Sequence, residues 1–148
     1  MFQIDDFKKD LENSDRILYF TDNSGEIVFD KVFIEYLVNH RKKVIVVVKD
    51  KPILNDATIE DVKMLSIDKL TKIISIGEGE VGTAYPTTNE FLNKAMRTAN
   101  IIISKGQANF ETLYGTKLNL YYLFVVKCKA VADFLKVPEK SPILLKEK

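Results

Sequence analysis

Val44-Ile45-Val46-Val47-Val48 is an unbroken run of β-branched residues, and it limits the fold more than any other segment. A strand with one wet face alternates apolar and polar side chains. A strand buried on both faces reads as a continuous apolar run, the pattern of a parallel sheet covered by helices on either side. Comparable runs recur at residues 16–20, 72–76, 100–104 and 120–126, and residues 142–145 add an edge-strand pattern. Residues 2–13, 26–39, 59–65, 87–99 and 127–135 carry helical spacing, and a short helical turn is expected at 110–113. Strands alternating with helices predict an α/β fold, a doubly wound, mostly parallel sheet with right-handed crossovers and helices on both faces.

The 148 residues fit one domain spanning 1–148, and 46% hydrophobic with 29% charged residues is ordinary for a globular chain. No internal repeat or low-complexity linker divides it. A formal charge of +1 gives no general electrostatic reason to bind nucleic acid or an anionic membrane. The single cysteine, Cys128, cannot form an internal disulfide. The first residues lack the basic and apolar stretches of a signal peptide, and no apolar run approaches the ~20 residues that span a bilayer. The expectation is a soluble protein of the reducing cytoplasm.

Polar clusters follow the strands: Thr21-Asp22-Asn23-Ser24-Gly25-Glu26, Leu54-Asn55-Asp56-Ala57-Thr58, and Lys105-Gly106-Gln107-Ala108-Asn109-Phe110-Glu111. Ligands of open α/β sheets bind beyond the carboxyl ends of strands, so these clusters are expected to meet at one sheet edge. Asp22, Asn23 and Asp56 offer the oxygen donors that hard divalent cations prefer. The same residues are also favoured helix N-caps, and both roles stay open. Gly25 and Glu26 open a helix in the manner of an anion site. Glu26 equally suits the helix dipole or a place behind the metal ligands. Lys105 and Gly106 with two amides supply a cation and donors, as a phosphate loop requires, or else form a solvated turn. Gly77-Glu78-Gly79-Glu80-Val81-Gly82 has nucleotide-loop spacing, but its acids would repel a pyrophosphate, so a turn or lid is the preferred reading. His40, beside Arg41, Lys42 and Lys43, reads as a solvated helix end.

The ordered segments Tyr19-Phe20-Thr21-Asp22-Asn23-Ser24-Gly25-Glu26-Ile27-Val28-Phe29-Asp30, Pro52-Ile53-Leu54-Asn55-Asp56-Ala57-Thr58 and Ser104-Lys105-Gly106-Gln107-Ala108-Asn109-Phe110-Glu111 together resemble the metal-dependent damage-control phosphatase family, formerly domain of unknown function 89. The resemblance covers nearly the whole chain, and Lys127-Cys128 also fits it. It implies a Rossmann-like hydrolase domain in which Asp22, Asn23 and Asp56 hold a divalent metal (manganese, cobalt, nickel or magnesium). It further implies that Lys105 contacts the phosphoryl group, that Asn109 and Glu111 shape the catalytic site, and that Ser24, Gly25, Glu26 and Gly106 face substrate. Family members carry a helical region ahead of the Asp-Asn cluster, where this chain has about twenty residues, and Asn100 stands where an aspartate is expected.

The expected function is a metal-dependent phosphatase acting on a small phosphorylated metabolite. The rival expectations are a noncatalytic metal- or phosphate-binding module, a truncated relative of the enzyme, and a cofactor-dependent methyltransferase using the glycine-rich loop. The short amino-terminal part leads to the expectation of a fragment, a minimal member, or a subunit completed by a second copy or by a partner that supplies helices.

Overall fold

A computed structural model describes residues 1–77 and 81–147. The chain runs α1 (Ile4–Glu12), β1 (Arg16–Phe20), α2 (Ile27–Asn39), β2 (Lys43–Lys49), α3 (Ile59–Met64), a 3-10 turn (Ile67–Lys69), β3 (Lys72–Ile76), α4 (Glu90–Thr98), β4 (Ile101–Lys105), α5 (Gln107–Leu113), β5 (Leu120–Val125), α6 (Lys129–Leu135) and β6 (Pro142–Lys146). The strands form one sheet in the order β3-β2-β1-β4-β5-β6. All neighbours are parallel except β5 and β6, where Tyr122 pairs with Leu145 in an antiparallel edge. The fold is α/β and mostly parallel, as the unbroken apolar runs require.

Side chains alternate across each strand, which divides the core into two layers. Ile17, Tyr19, Val46, Val48, Ile101 and Ile103 face one side, packed with Ile27, Ile34 and Leu37 of α2 and Val62 of α3. Leu18, Phe20, Val47, Ile102, Tyr122 and Phe124 face the other, packed with Leu92 and Met96 of α4, Phe110 of α5 and Leu135 of α6. Val46 is fully buried and Val47 is 2% exposed, so β2 has no wet face. On the outer side of α2, however, Val28, Phe29, Val32 and Tyr36 are exposed. Among the described residues no helix is long and apolar enough to cross a membrane.

The helix starts settle the question of caps. Thr58, not Asp56, caps α3: its hydroxyl and backbone N–H lie 2.8 and 2.7 Å from Asp61 Oδ2 in a capping box. At α2 no side chain caps the helix, and the backbone carbonyl of Asn23 accepts from the N–H groups of Glu26 and Ile27, each at 3.1 Å. Asp22, Asn23 and Asp56 are thus free of the capping work that their residue types suggested.

Adjacent β1 and β4 send their following connections to opposite sides of the sheet, β1 toward β2 and β4 toward β5. Such a reversal leaves a crevice beyond the strand ends. The clusters after β1 and β4 flank it.

Candidate functional site

The loops after β1 and β2 are joined through their backbones. Ala57 N–H donates to Asp22 O and Ser24 N–H to Asn55 O, each at 2.8 Å, and Asn23 and Asp56 form an antiparallel bridge. These contacts bring Asp22, Asn23 and Asp56 together at the sheet edge. Asn23 Nδ2 donates to Asp22 Oδ2 at 2.9 Å, which leaves the amide oxygen as its remaining donor atom for a ligand. Asp22 and Asp56 line a small open pocket of about 10 Å³, roughly the room one water-sized sphere needs.

Gly106 opens this group toward β4. Its φ of +86° suits glycine, and a Cβ there would fall 2.4 Å from Asp22 Oδ1. The missing side chain lets that carboxylate pack directly against the backbone at the start of α5. Burial raises the Asp22 carboxyl above its usual range, Glu26 and Asp56 add repulsion, and Lys127 and Lys105 oppose the shift. Burial also raises Asp56, against the pull of Lys49 and Lys127. Two desolvated carboxylates and an amide oxygen match the donor set of a hard divalent cation, which would relieve this repulsion. The set contains only two acids, and among the described residues no trio of His, Cys, Asp and Glu is placed to hold a metal.

Lys105 ends β4 and is 4% exposed. Its ammonium pairs with Asp30 Oδ1 at 2.7 Å and with Glu26 Oε1. Asp30 also accepts from the Tyr19 hydroxyl at 2.7 Å. Burial alone would lower the Lys105 pKa, but Asp30 and Glu26 outweigh it and hold the lysine protonated above its usual value. The same burial pushes Asp30 upward against Lys105 and Tyr19. The lysine's direction governs the site, because one ammonium faces two carboxylates.

The remaining expected residues are spread more widely. Gly106 directly precedes α5, so the helical turn expected at 110–113 begins earlier, at Gln107, and carries Asn109 as well as Glu111. Asn109 is buried: its Nδ2 donates to Lys105 O at 2.8 Å, and its Oδ1 accepts from Thr83 Oγ1 at 3.0 Å. It ties the end of β4 to the segment after β3. Glu111 is exposed and accepts from Gln107 Nε2 at 2.7 Å, and that amide also reaches Cys128 Sγ at 3.3 Å. Ser24 is half-buried and Gly25 exposed, with nothing among the described residues within 4 Å of a Cβ built there. The nucleotide-loop reading of residues 77–82 falls partly on 78–80, outside the described residues.

The sequence reading gave no role to Asp30, Tyr19, Lys49 or Thr83. Asp30 had a signal: it follows Glu26 by four residues and shares the buried face of α2 with Ile27, Ile34 and Leu37. An acid on an apolar stripe requires a buried partner. Lys49, at the end of β2, is buried and donates to Gly82 O. Beyond it a cleft of about 550 Å³ is lined in part by Ser75, Thr83, Thr87 and Asn89.

This architecture is that of a defined family. The profile of the damage-control phosphatase ARMT1-like domain matches residues 1–143, and the chain belongs to that family. A damage-control phosphatase of Pyrococcus horikoshii is 39% identical over 152 residues, covering 98% of this chain and 52% of the relative. An uncharacterized protein of Methanocaldococcus jannaschii is 41% identical over 139 residues, covering 91% and 46%. A damage-control phosphatase of Archaeoglobus fulgidus is 34% identical over 122 residues, covering 81% and 42%. The crystal structure of a DUF89 family protein from Pyrococcus horikoshii superposes with a TM-score of 0.90 at 36% identity, covering 100% of this chain and 53% of that one. The chain spans about half the length of the relatives it matches.

Proposed function

We propose that this chain is the metal-dependent phosphatase domain of a damage-control enzyme, acting on small phosphorylated metabolites. The observation that carries the reading is the meeting of Asp22, Asn23 and Asp56 across the bridged loops, next to Lys105 on the adjoining strand. Asp22, Asn23 and Asp56 would hold the cation. Bound there, a divalent ion supplies charge for a phosphoryl oxygen and lowers the pKa of water. Lys105 adds a fixed positive charge at the end of β4 that offsets charge on the phosphoryl oxygens. Asn109 holds the β4 terminus in place, and Gly106 keeps a side chain out of the space beside Asp22.

The test is an assay of metal-stripped protein against sugar phosphates, nucleotides and cofactor phosphates, with manganese, cobalt, nickel or magnesium restored in turn. Metal-dependent phosphate release is the expected result. The donor set of only two acids, with no trio of His, Cys, Asp and Glu placed to hold a metal among the described residues, favours a second reading, a noncatalytic binding module. Metal binding without turnover of any ester would support the module.

A further inference from the structure

The two acids that hold Lys105 differ in freedom. The Asp30 side chain is 5% exposed, and its Oδ1 receives both Lys105 Nζ and Tyr19 Oη. Its Oδ2 is buried with no hydrogen-bond partner among the described residues. Tyr19 is itself 2% exposed and packs near Phe33, so neither group has room to turn away. The Glu26 side chain is 39% exposed at the mouth of α2. Apart from Lys105 it has, among the described residues, one other hydrogen-bond contact, Asn23 Nδ2 at 3.5 Å from Oε2, at the outer limit of hydrogen bonding.

We propose that Asp30 is the positioning residue that fixes the Lys105 ammonium, and that Glu26 is its exchangeable partner, giving up Lys105 to a phosphoryl oxygen of the substrate. The inference rests on the phosphatase reading. With Glu26 in place, one lysine and two carboxylates carry a net negative charge, which repels a phosphate. With Glu26 turned toward solvent, Lys105 and Asp30 are neutral together and an N–H of the lysine is available. One charge-assisted hydrogen bond replaces another, and no covalent bond changes. Tyr19 and Asp30 keep the ammonium at the end of β4 throughout, so that Lys105 need not reorganise.

The test uses inorganic phosphate titrated into the chain at saturating magnesium, read by calorimetry and by the NMR signal of Lys105 Cε. Glu26→Gln removes the competing charge and is expected to tighten phosphate binding threefold or more. Asp30→Asn is expected to weaken it about tenfold, and Tyr19→Phe, which deletes a single hydroxyl, to weaken it by a smaller factor. The Lys105 signal is expected to shift on phosphate saturation in the unmodified protein and in Glu26→Gln. Acids that only stabilise the fold would move both variants the same way, in step with melting temperature. Should Asp30→Asn not fold, Tyr19→Phe and Glu26→Gln carry the comparison. The proposal is overturned if Glu26→Gln binds phosphate no more tightly than the unmodified protein, if the Lys105 signal stays fixed, or if neither protein binds phosphate. Phosphate binding with these signatures but no hydrolysis of any ester would sink the phosphatase reading and leave Asp30 and Glu26 with these roles in phosphate binding alone.

Discussion

Gly106 and Asp22 follow the ends of β4 and β1, which neighbour each other in the sheet, and they sit so close that a Cβ on residue 106 would lie 2.4 Å from the Asp22 carboxylate. Gly106→Ala must therefore displace either the β4 terminus or Asp22, and it also places alanine at φ +86°. Backbone strain of this kind costs on the order of 1–3 kcal/mol. A melting temperature lowered by several degrees, together with weaker magnesium binding in calorimetry, is the expected result. Unchanged stability would mean that the carboxylate is not confined.

Asp56→Asn tests the cation site without the complication of lost caps, because Thr58 caps α3 and no hydrogen bond within the described residues uses the Asp56 side chain. Removing one of two carboxylates should lower divalent-cation affinity by about tenfold or more, since ligand charge count sets affinity in oxygen sites. The fold should remain intact by circular dichroism. Equal affinity of the variant and the parent protein would place the cation elsewhere.

Lys105→Ala should cost both activity and stability. It strands Asp30 at 4% exposure, and breaking a buried ion pair from one side is destabilising by about 3–5 kcal/mol. Turnover is expected to drop roughly a hundredfold or more, by analogy with lost electrostatic donors, with cation affinity spared because the lysine is not a ligand. Urea denaturation and initial rates at low temperature separate these effects. Parent-like kinetics on the best substrate would remove Lys105 from the phosphate site.

Asp10 links α1 to the edge of the sheet, accepting from Lys146 Nζ at 2.5 Å and Tyr121 Oη at 2.8 Å. The hydrogen bond from Lys146, then that from Tyr121, holds its carboxyl below the ordinary value. A carboxylate with a depressed folded pKa stabilises fully above its unfolded value of about 3.9, and that stability is lost as pH falls through the lower folded value. Asp10→Asn should thus cost at most about 1 kcal/mol near neutral pH, because the pair is partly exposed. The difference from the parent should vanish in strongly acidic urea titrations. A gap that persists there would point to packing instead of charge.

The strands were legible because burial on both faces leaves an unmistakable composition: the five residues of the Val44 run are all apolar, and the sheet places them between two layers. The convergence of Asp22, Asn23, Asp56 and Lys105 was legible for a topological reason, since Asp22 and Asn23 follow β1, Asp56 lies in the connection after β2 and Lys105 ends β4, all at the carboxyl edge of the sheet. Their pairing was not. Lys105 meets Asp30 across 75 residues, and only the adjacency of β1 and β4 reveals it. The identity of the α3 cap also escaped, because Asp56 and Thr58 are both favoured caps and only backbone geometry distinguishes them. Asn109 read as part of the loop ahead of a helical turn at 110–113, yet the helix begins at Gln107, burying Asn109 and exposing Glu111. The reversed direction of β6 depends on the short return after α6, which carries no distinctive pattern.

The strand order also governs when the site can exist. Everything proposed to bind the cation lies before residue 57, and the lysine lies after residue 104, so a seam between two non-consecutive strands must close before either half has a counterpart. A nascent or partly opened chain would keep each loop locally formed and hold no assembled charge cluster. Contacts of such long range form late and slowly in folding. Exchange protection of the β1 and β4 amides therefore doubles as a clock for the appearance of the site.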